Sequence, residues 1–190
     1  MSVTLSVAQL ADIEAIDRCN RSVLPENYPR DFYEAFLQSP NSISLIVKPA
    51  LEEEQEDERK AEEKTAAASD EIAGYILCML QNDKKKAVVA HIYSIGVYPQ
   101  FRRRGYASAL LKTAEALLGE KRTDIKCISL HVRKKNKAAR KFYAKLGFGR
   151  TKVVKKYYEK PREDAYLMKK PLKPQPSIEK KPTSNVQIKW

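Results

Sequence analysis

The chain is poor in the residues that build metal centres and disulfide frameworks, and it has no long apolar run. Its three cysteines, Cys19, Cys78 and Cys127, are isolated in apolar surroundings and form no CxxC pair. That pattern fits buried, reduced thiols, and no metal is expected. No segment approaches the roughly 20 apolar residues of a membrane span. The start, Met1-Ser2-Val3-Thr4, lacks the basic-then-apolar layout of a secretory signal. The expected compartment is therefore the cytosol. Histidine occurs only twice, as His91 and His131.

What is present suits one globular domain: 190 residues, 43% of them apolar, are enough to bury a core. The formal charge of +12 is unevenly spread. Residues 52–63, EEEQEDERKAEE, are strongly acidic, and residues 150–190 carry most of the positive excess. With no helix-turn-helix, zinc-finger or RNA-binding signature, no specific nucleic-acid partner is expected. A basic surface also suits an anionic cofactor, an acidic partner or a ribosome.

Periodicity and turn signals outline the elements. Thr4–Val7 reads as a strand, and Asp12 as the cap of a helix over Ile13–Val23. A turn with two prolines, Leu24–Pro29, leads from Asp31 into a helix over Phe32–Leu37, then a strand over Ile43–Val47. Residues 49–71 hold almost no large apolar side chain and read as a charged insertion. Strands follow over Ile72–Leu80 and Val88–Val97, joined by a hairpin turn at Asn82-Asp83-Lys84. Ala107–Leu118 reads as a helix with an apolar stripe at Leu110, Leu111, Ala114 and Leu118. Cys127–Val132 is a strand, and Asn136–Leu146 a helix closed by Gly147. Val153–Tyr158 and Ala165–Met168 are the last strands, and residues 173–190 a basic tail.

The chemistry centres on Gln100-Phe101-Arg102-Arg103-Arg104-Gly105-Tyr106-Ala107, which joins a strand to a helix. Free amides and the positive end of the helix dipole there make an anion site. Gly105 permits close backbone approach, and Arg102 and Arg104 add charged donors. Alone, the string also fits a basic surface turn. It is followed by Ser129-Leu130-His131-Val132-Arg133, Asn136, Ala138-Ala139 and Phe142-Tyr143-x-x-x-Gly147-Phe148.

Arg102-x-x-Gly105-x-Ala107 with Asn136-x-x-Ala139-x-x-Phe142-Tyr143-x-x-x-Gly147-Phe148 resembles two motifs of the GCN5-related N-acetyltransferase (GNAT) superfamily, and the likeness spans about residues 3–172. It implies an α/β fold: a mixed, mostly antiparallel sheet with a central, splayed parallel strand pair and helices on both faces. It implies acetyl-CoA as cofactor, with pantetheine on the backbone near Ile95 and Val97. The pyrophosphate would lie on Arg102, Arg103, Arg104, Gly105, Tyr106 and Ala107. Asn136 would touch the pantetheine, and Tyr143 would lie near the thioester sulfur.

Leu24-Pro25-Glu26-Asn27-Tyr28, His91–Ser94, Leu130–Arg133, Lys156-Tyr157-Tyr158 and Glu163–Met168 resemble the protein N-terminal acetyltransferases, which modify a polypeptide α-amine. Phe142–Phe148 and Thr151–Tyr158 are similar to the NatE catalytic subunit. Leu24–Tyr28 and Glu163–Met168 are equally similar to the NatA catalytic subunit and its archaeal relatives. The NatE-like reading is preferred. It implies substrates that retain the initiator methionine, where a NatA-type enzyme takes small first residues. It also implies, as partners, a polypeptide N-terminus, a NatA-type scaffold subunit and the ribosome, and no membrane.

An α-amine titrates near 8, so a modest base suffices to deprotonate it. The candidates are His131, His91 and Glu26, each of which is also compatible with a structural role. Tyr143 either protonates the leaving thiolate or positions the sulfur. Leu24, Pro25, Glu26, Tyr28, Tyr93, Tyr157 and Tyr158 are the candidate substrate contacts, the last two also readable as ordinary strand aromatics. Besides this reading stand a non-catalytic, ribosome-associated CoA-binding subunit and an acetyltransferase acting on a small amine or an internal lysine.

Overall fold

The computed structural model describes residues 4–49 and 72–172, so the charged insertion and the basic tail fall outside the described residues, apart from Pro49. The elements are β1 (Thr4–Val7), α1 (Ile13–Val23), α2 (Arg30–Gln38), β2 (Ser42–Lys48), β3 (Gly74–Asn82), β4 (Val88–Val97), α3 (Tyr106–Lys121), β5 (Cys127–Arg133), α4 (Lys137–Lys145), β6 (Gly149–Glu159) and β7 (Arg162–Pro171). The seven strands form one sheet in the order β1-β2-β3-β4-β5-β7-β6. Every pairing is antiparallel except β4 with β5.

Strand alternation sends side chains to two cores. Ile76, Cys78 and Leu80 of β3 join Leu110, Leu111, Ala114 and Leu118 of α3 and Tyr143 of α4. Tyr75 and Leu77 point the other way, to Ile13, Ile16 and Cys19 of α1 and Tyr33 and Phe36 of α2. Helices therefore cover both faces. The apolar stripe on α3 is buried as its spacing requires, and all three cysteines are buried.

Two local details differ from the sequence expectation. Asp12 holds the N-cap position of α1, but its side chain makes no capping bond to that helix; its carboxylate accepts from the Gln9 amide at 2.7 Å, closing a short 3-10 turn ahead of it. The last two strands are longer than their apolar cores, because backbone pairing of β6 with β7 continues through polar residues on an exposed edge.

The decisive feature is the brevity of the parallel ladder. Only Ala90↔Ile128, His91↔Ser129 and Ile92↔Leu130 are in register. Beyond them β4 runs on to Val97 and β5 to Arg133 unpaired with each other. A bulge marks the parting: Leu77 faces Ser94 and Cys78 faces Ile92, which leaves Tyr93 as the extra residue on β4. A bulge bends and twists its strand, and here it lies where β4 leaves β5, one residue beyond the last parallel pair, Ile92 with Leu130.

Candidate active site

A cleft of about 1400 Å³ opens along this parting. His91 and His131 are on its floor, Leu24–Tyr28 on one wall and Tyr157–Lys160 on the other. Asn136, Ala139 and Tyr143 line its far end.

The two imidazoles lie 5.1 Å apart, centroid to centroid. Ser129 Oγ donates to the Ala90 carbonyl at 3.2 Å and sits 2.9 Å from His91 Nδ1. With its one proton so used, Ser129 accepts from His91, which places the His91 proton on Nδ1 and the lone pair on Nε2. Burial, then the neighbouring His131, pulls the His91 pKa down to about 4. Burial, then the charge of Lys152, lowers that of His131 as well. Both rings are therefore neutral at cellular pH. His131 Nδ1 is buried without a hydrogen-bond partner among the described residues. The ring itself is fixed by Tyr157, stacked on it at 4.1 Å and 19°.

Tyr157 reaches that position through irregular backbone. Val154 faces Ala165 and Tyr158 faces Glu163, so β6 carries extra residues there, with Lys156 at φ 52°. Asp164 Oδ1 holds the bulge by accepting from the Lys156 amide at 2.9 Å. Glu26 and Tyr158 meet at Arg133. This guanidinium pairs with Glu26, donates to the Lys160 carbonyl at 3.0 Å and the Pro161 carbonyl at 2.9 Å, and covers the Tyr158 ring at 4.1 Å. Arg133 thus ties the two walls together. The sequence displays it beside His131 but gives no sign of this role, since its partners come from loops distant in the chain.

The Leu24–Tyr28 wall hangs on a buried polar network that sequence reading missed. Asn20 Nδ2 donates to the Glu26 carbonyl at 2.6 Å. Asn20 Oδ1 accepts from Tyr75 Oη at 2.5 Å, and Tyr75 Oη lies 2.6 Å from Ser94 Oγ. Tyr28 stacks on Phe32 at 4.2 Å and donates to the Tyr93 carbonyl at 3.4 Å. Tyr75→Phe removes the two shortest bonds of this network and leaves Asn20 Oδ1 and Ser94 Oγ only their mutual contact at 3.4 Å, and it is expected to cost about 1–3 kcal/mol. Thermal unfolding checks this, a fall of several degrees being expected for a chain of this size.

Tyr143 is set by the end of α4. Phe148 N donates to the Tyr143 carbonyl at 3.0 Å and Gly147 N to that of Ala144 at 3.1 Å. With Gly147 at φ 90° and the Phe148 ring packed on Tyr143 at 5.7 Å, this is a Schellman closure. Burial raises the Tyr143 pKa well above the usual phenol value, so its hydroxyl stays protonated. Asn136 is the N-cap of the same helix, its Oδ1 accepting from the Ala139 amide at 2.9 Å.

The loop before α3 carries the remaining candidates. Gly105 is its N-cap at φ 87°, and a Cβ built there meets no atom within 4 Å. The first intrahelical bond runs from Ala109 N to the Gly105 carbonyl, so the Tyr106 and Ala107 amides precede the helix's own acceptors. Arg102, Arg103 and Arg104 are exposed around this open cradle. Two side chains are engaged otherwise than a phosphate contact requires. The Tyr106 ring is buried in the core, leaving its amide as its available group. Arg102 Nε donates to the Val97 carbonyl at 3.1 Å. Ile95 and Val97 lie on the stretch of β4 that pairs with β3 but not with β5.

Comparison with known proteins shows the family of the chain. Residues 13–148 match the model of the acetyltransferase (GNAT) family. The chain belongs to that family. It is 33% identical over 172 residues to the N-alpha-acetyltransferase of Sulfurisphaera tokodaii, covering 87% of this chain and 90% of the relative. It is 32% identical over 172 residues to the N-terminal acetyltransferase A complex catalytic subunit of Arabidopsis thaliana, covering 90% and 79%. Within the GNAT family it is thus an N-alpha-acetyltransferase. The fold also matches a chain of the crystallised NatC complex, with a TM-score of 0.74 at 21% identity, covering 91% of this chain and 100% of that one.

Proposed function

We propose that this GNAT enzyme moves the acetyl group of acetyl-CoA onto the α-amine of a polypeptide, and that the bare cleft accepts N-termini retaining methionine. The observation that carries the reading is the parting of β4 and β5 beyond Ile92 and Leu130, with two neutral histidines beside it. The open Gly105 cradle and the exposed arginines fit a pyrophosphate. The Tyr106 and Ala107 amides, with Arg103 and Arg104, would hold it. Ile95, Val97 and Asn136 would hold the pantetheine, Asn136 through the Nδ2 its capping bond leaves over. Acetyl-CoA supplies the activated acetyl thioester.

His131 is assigned as the base: it is neutral, fixed by Tyr157, and lines the cleft just beyond the last β4–β5 pair. His91 supports it from the same floor. Glu26 is occupied by Arg133 and acts on the substrate wall. Tyr143, held protonated, supplies a hydrogen-bond donor towards the leaving sulfur. The peptide lies between Leu24–Tyr28 and Tyr157–Tyr158, a slot that accepts a free chain end more readily than a lysine flanked on both sides. The cytosol is its proposed compartment, with a NatA-type scaffold subunit and the ribosome as partners.

Leu24, Pro25, Tyr28 and Tyr158, with Tyr93 nearby, form an apolar and aromatic first-residue pocket. Burying a methionine side chain there contributes roughly 1.5–3 kcal/mol, a ten- to hundredfold preference over a small residue. The reading of small first residues has its own support. Glu26 stands paired with Arg133 at the pocket turn, and the Arabidopsis relative is a subunit of the acetyltransferase A complex. A CoA-release assay on peptides differing only in their first two residues separates the two. Met-Leu and Met-Val starts are expected to turn over faster than Ser and Ala starts; the reverse order with purified monomer establishes the small-residue reading.

A further inference from the structure

The cleft does not stop at the histidines. Side chains opposite one another across neighbouring strands share a face, and two such rows continue the floor away from the α3 loop. One runs His91–Ser129–Lys169 across β4, β5 and β7. The other runs His131–Leu167–Lys152 across β5, β7 and β6. The β3–β4 hairpin adds Lys84 and Lys85 to the lining, and the β6–β7 turn adds Lys160. Five ammonium groups therefore surround the cleft beyond its catalytic end.

Among the described residues, the carboxylates of the same lining do not balance them. Glu26 is paired with Arg133. Asp83 Oδ1 accepts from the Lys85 and Ala87 amides at 2.8 and 3.0 Å, shaping its own hairpin. Glu159 faces Arg162 across the β6–β7 register. Adjacent strands lie about 4.8 Å apart, so each lysine row ends roughly 10 Å from its histidine. An extended peptide advances about 3.3 Å per residue and covers that distance in about three residues beyond its amine.

We infer that this stretch of the cleft is a subsite for carboxylate side chains from about the third to the sixth residue of the polypeptide substrate. The inference rests on the polypeptide reading above and deepens it: the first residue is chosen by the apolar pocket, and acidic residues after the second are chosen by the lysines. The Lys152 charge acts to lower the His131 pKa, in keeping with its place at the end of that row.

The test uses the full chain and peptides that share their first two residues. Residues 3–6 are four Asp, four Asn or four Lys, prepared once with a Met-Leu and once with a Ser-Ala start. The Asp peptide is expected to show a KM about tenfold below its Asn counterpart at low salt, from several exposed charge pairs acting together. The Lys peptide should be the poorest. The spread should shrink as ionic strength rises to about 0.5 M. In K84Q/K85Q/K152Q the Asp-to-Asn ratio should approach one, whereas Lys112→Gln, on α3, should leave the ratio as in wild type. Equal KM values for Asp and Asn peptides that both turn over would overturn the subsite. Peptide binding read by fluorescence anisotropy separates the two claims. Tighter binding of the Asp peptide without turnover of any peptide would sustain the subsite and remove the amine-transfer reading. Equal binding would overturn the subsite whatever the turnover.

Discussion

His131→Ala is expected to lower kcat by about two orders of magnitude or more, the usual contribution of a positioned general base. Acetyl-CoA affinity should stay near the wild-type value, because the ring lies on the floor of the peptide side and not in the Gly105 loop. His91→Ala should also be impaired, since it shares the cleft floor with His131. Stopped-assay kinetics with calorimetry on the same proteins reads both quantities. A double variant with near-normal kcat would pass the base role to Glu26 or to solvent. The pH profile gives a second reading. Both histidines have depressed pKa values, His91 at about 4, so they stay unprotonated below the ordinary histidine value of about 6.5. The acid limb of kcat should accordingly fall below pH 6.5. The same sign governs stability: the neutral, buried rings contribute fully above about pH 6.5, and that contribution is lost as pH falls towards 4.

The second large effect is at Gly105. Gly105→Asp places a carboxylate in the cradle where an anion is to sit, at a positive φ that aspartate and asparagine tolerate better than other L-residues. Acetyl-CoA binding should fall by at least about a hundredfold, combining a lost charge-assisted contact with like-charge repulsion. Two companions separate strain from obstruction. Gly105→Asn tolerates the left-handed conformation and carries no charge, so it should lose less affinity than Asp. Gly105→Ala adds only a methyl group in open space and should bind best of the three, at some cost in stability. Wild-type affinity in Gly105→Asp would remove the pyrophosphate from this loop.

Much of this site could be read from the sequence because it depends on local rules. The Gly105 turn, the α3 stripe and the Gly147 closure are each specified by a few adjacent residues, and the structure places them accordingly. The histidines were visible as the only two in the chain, and alternation put both on strands. What stayed hidden depends on distant partners. Nothing near Asn20 announces that it meets Tyr75 and Glu26, and nothing near Arg133 announces Lys160 and Pro161. Asp12 takes the cap position, yet its carboxylate turns back to Gln9, because the capping pattern does not distinguish an α-helical start from a preceding 3-10 turn. The bulges at Tyr93, where β4 leaves β5, and at Lys156, which brings Tyr157 onto His131, arise from pairing register, and one strand read alone carries no register.

The most direct measurement concerns which nitrogen receives the acetyl group. One peptide with a single internal lysine is presented to the purified enzyme and acetyl-CoA in two forms, with a free α-amine and with that amine blocked. Released CoA is followed, and the acetylated position is read by fragment mass spectrometry. The expected result is turnover of the free peptide alone, with the whole mass increment on its first residue. Turnover of the blocked peptide at a comparable rate, with the increment on the lysine, would contradict transfer to the α-amine.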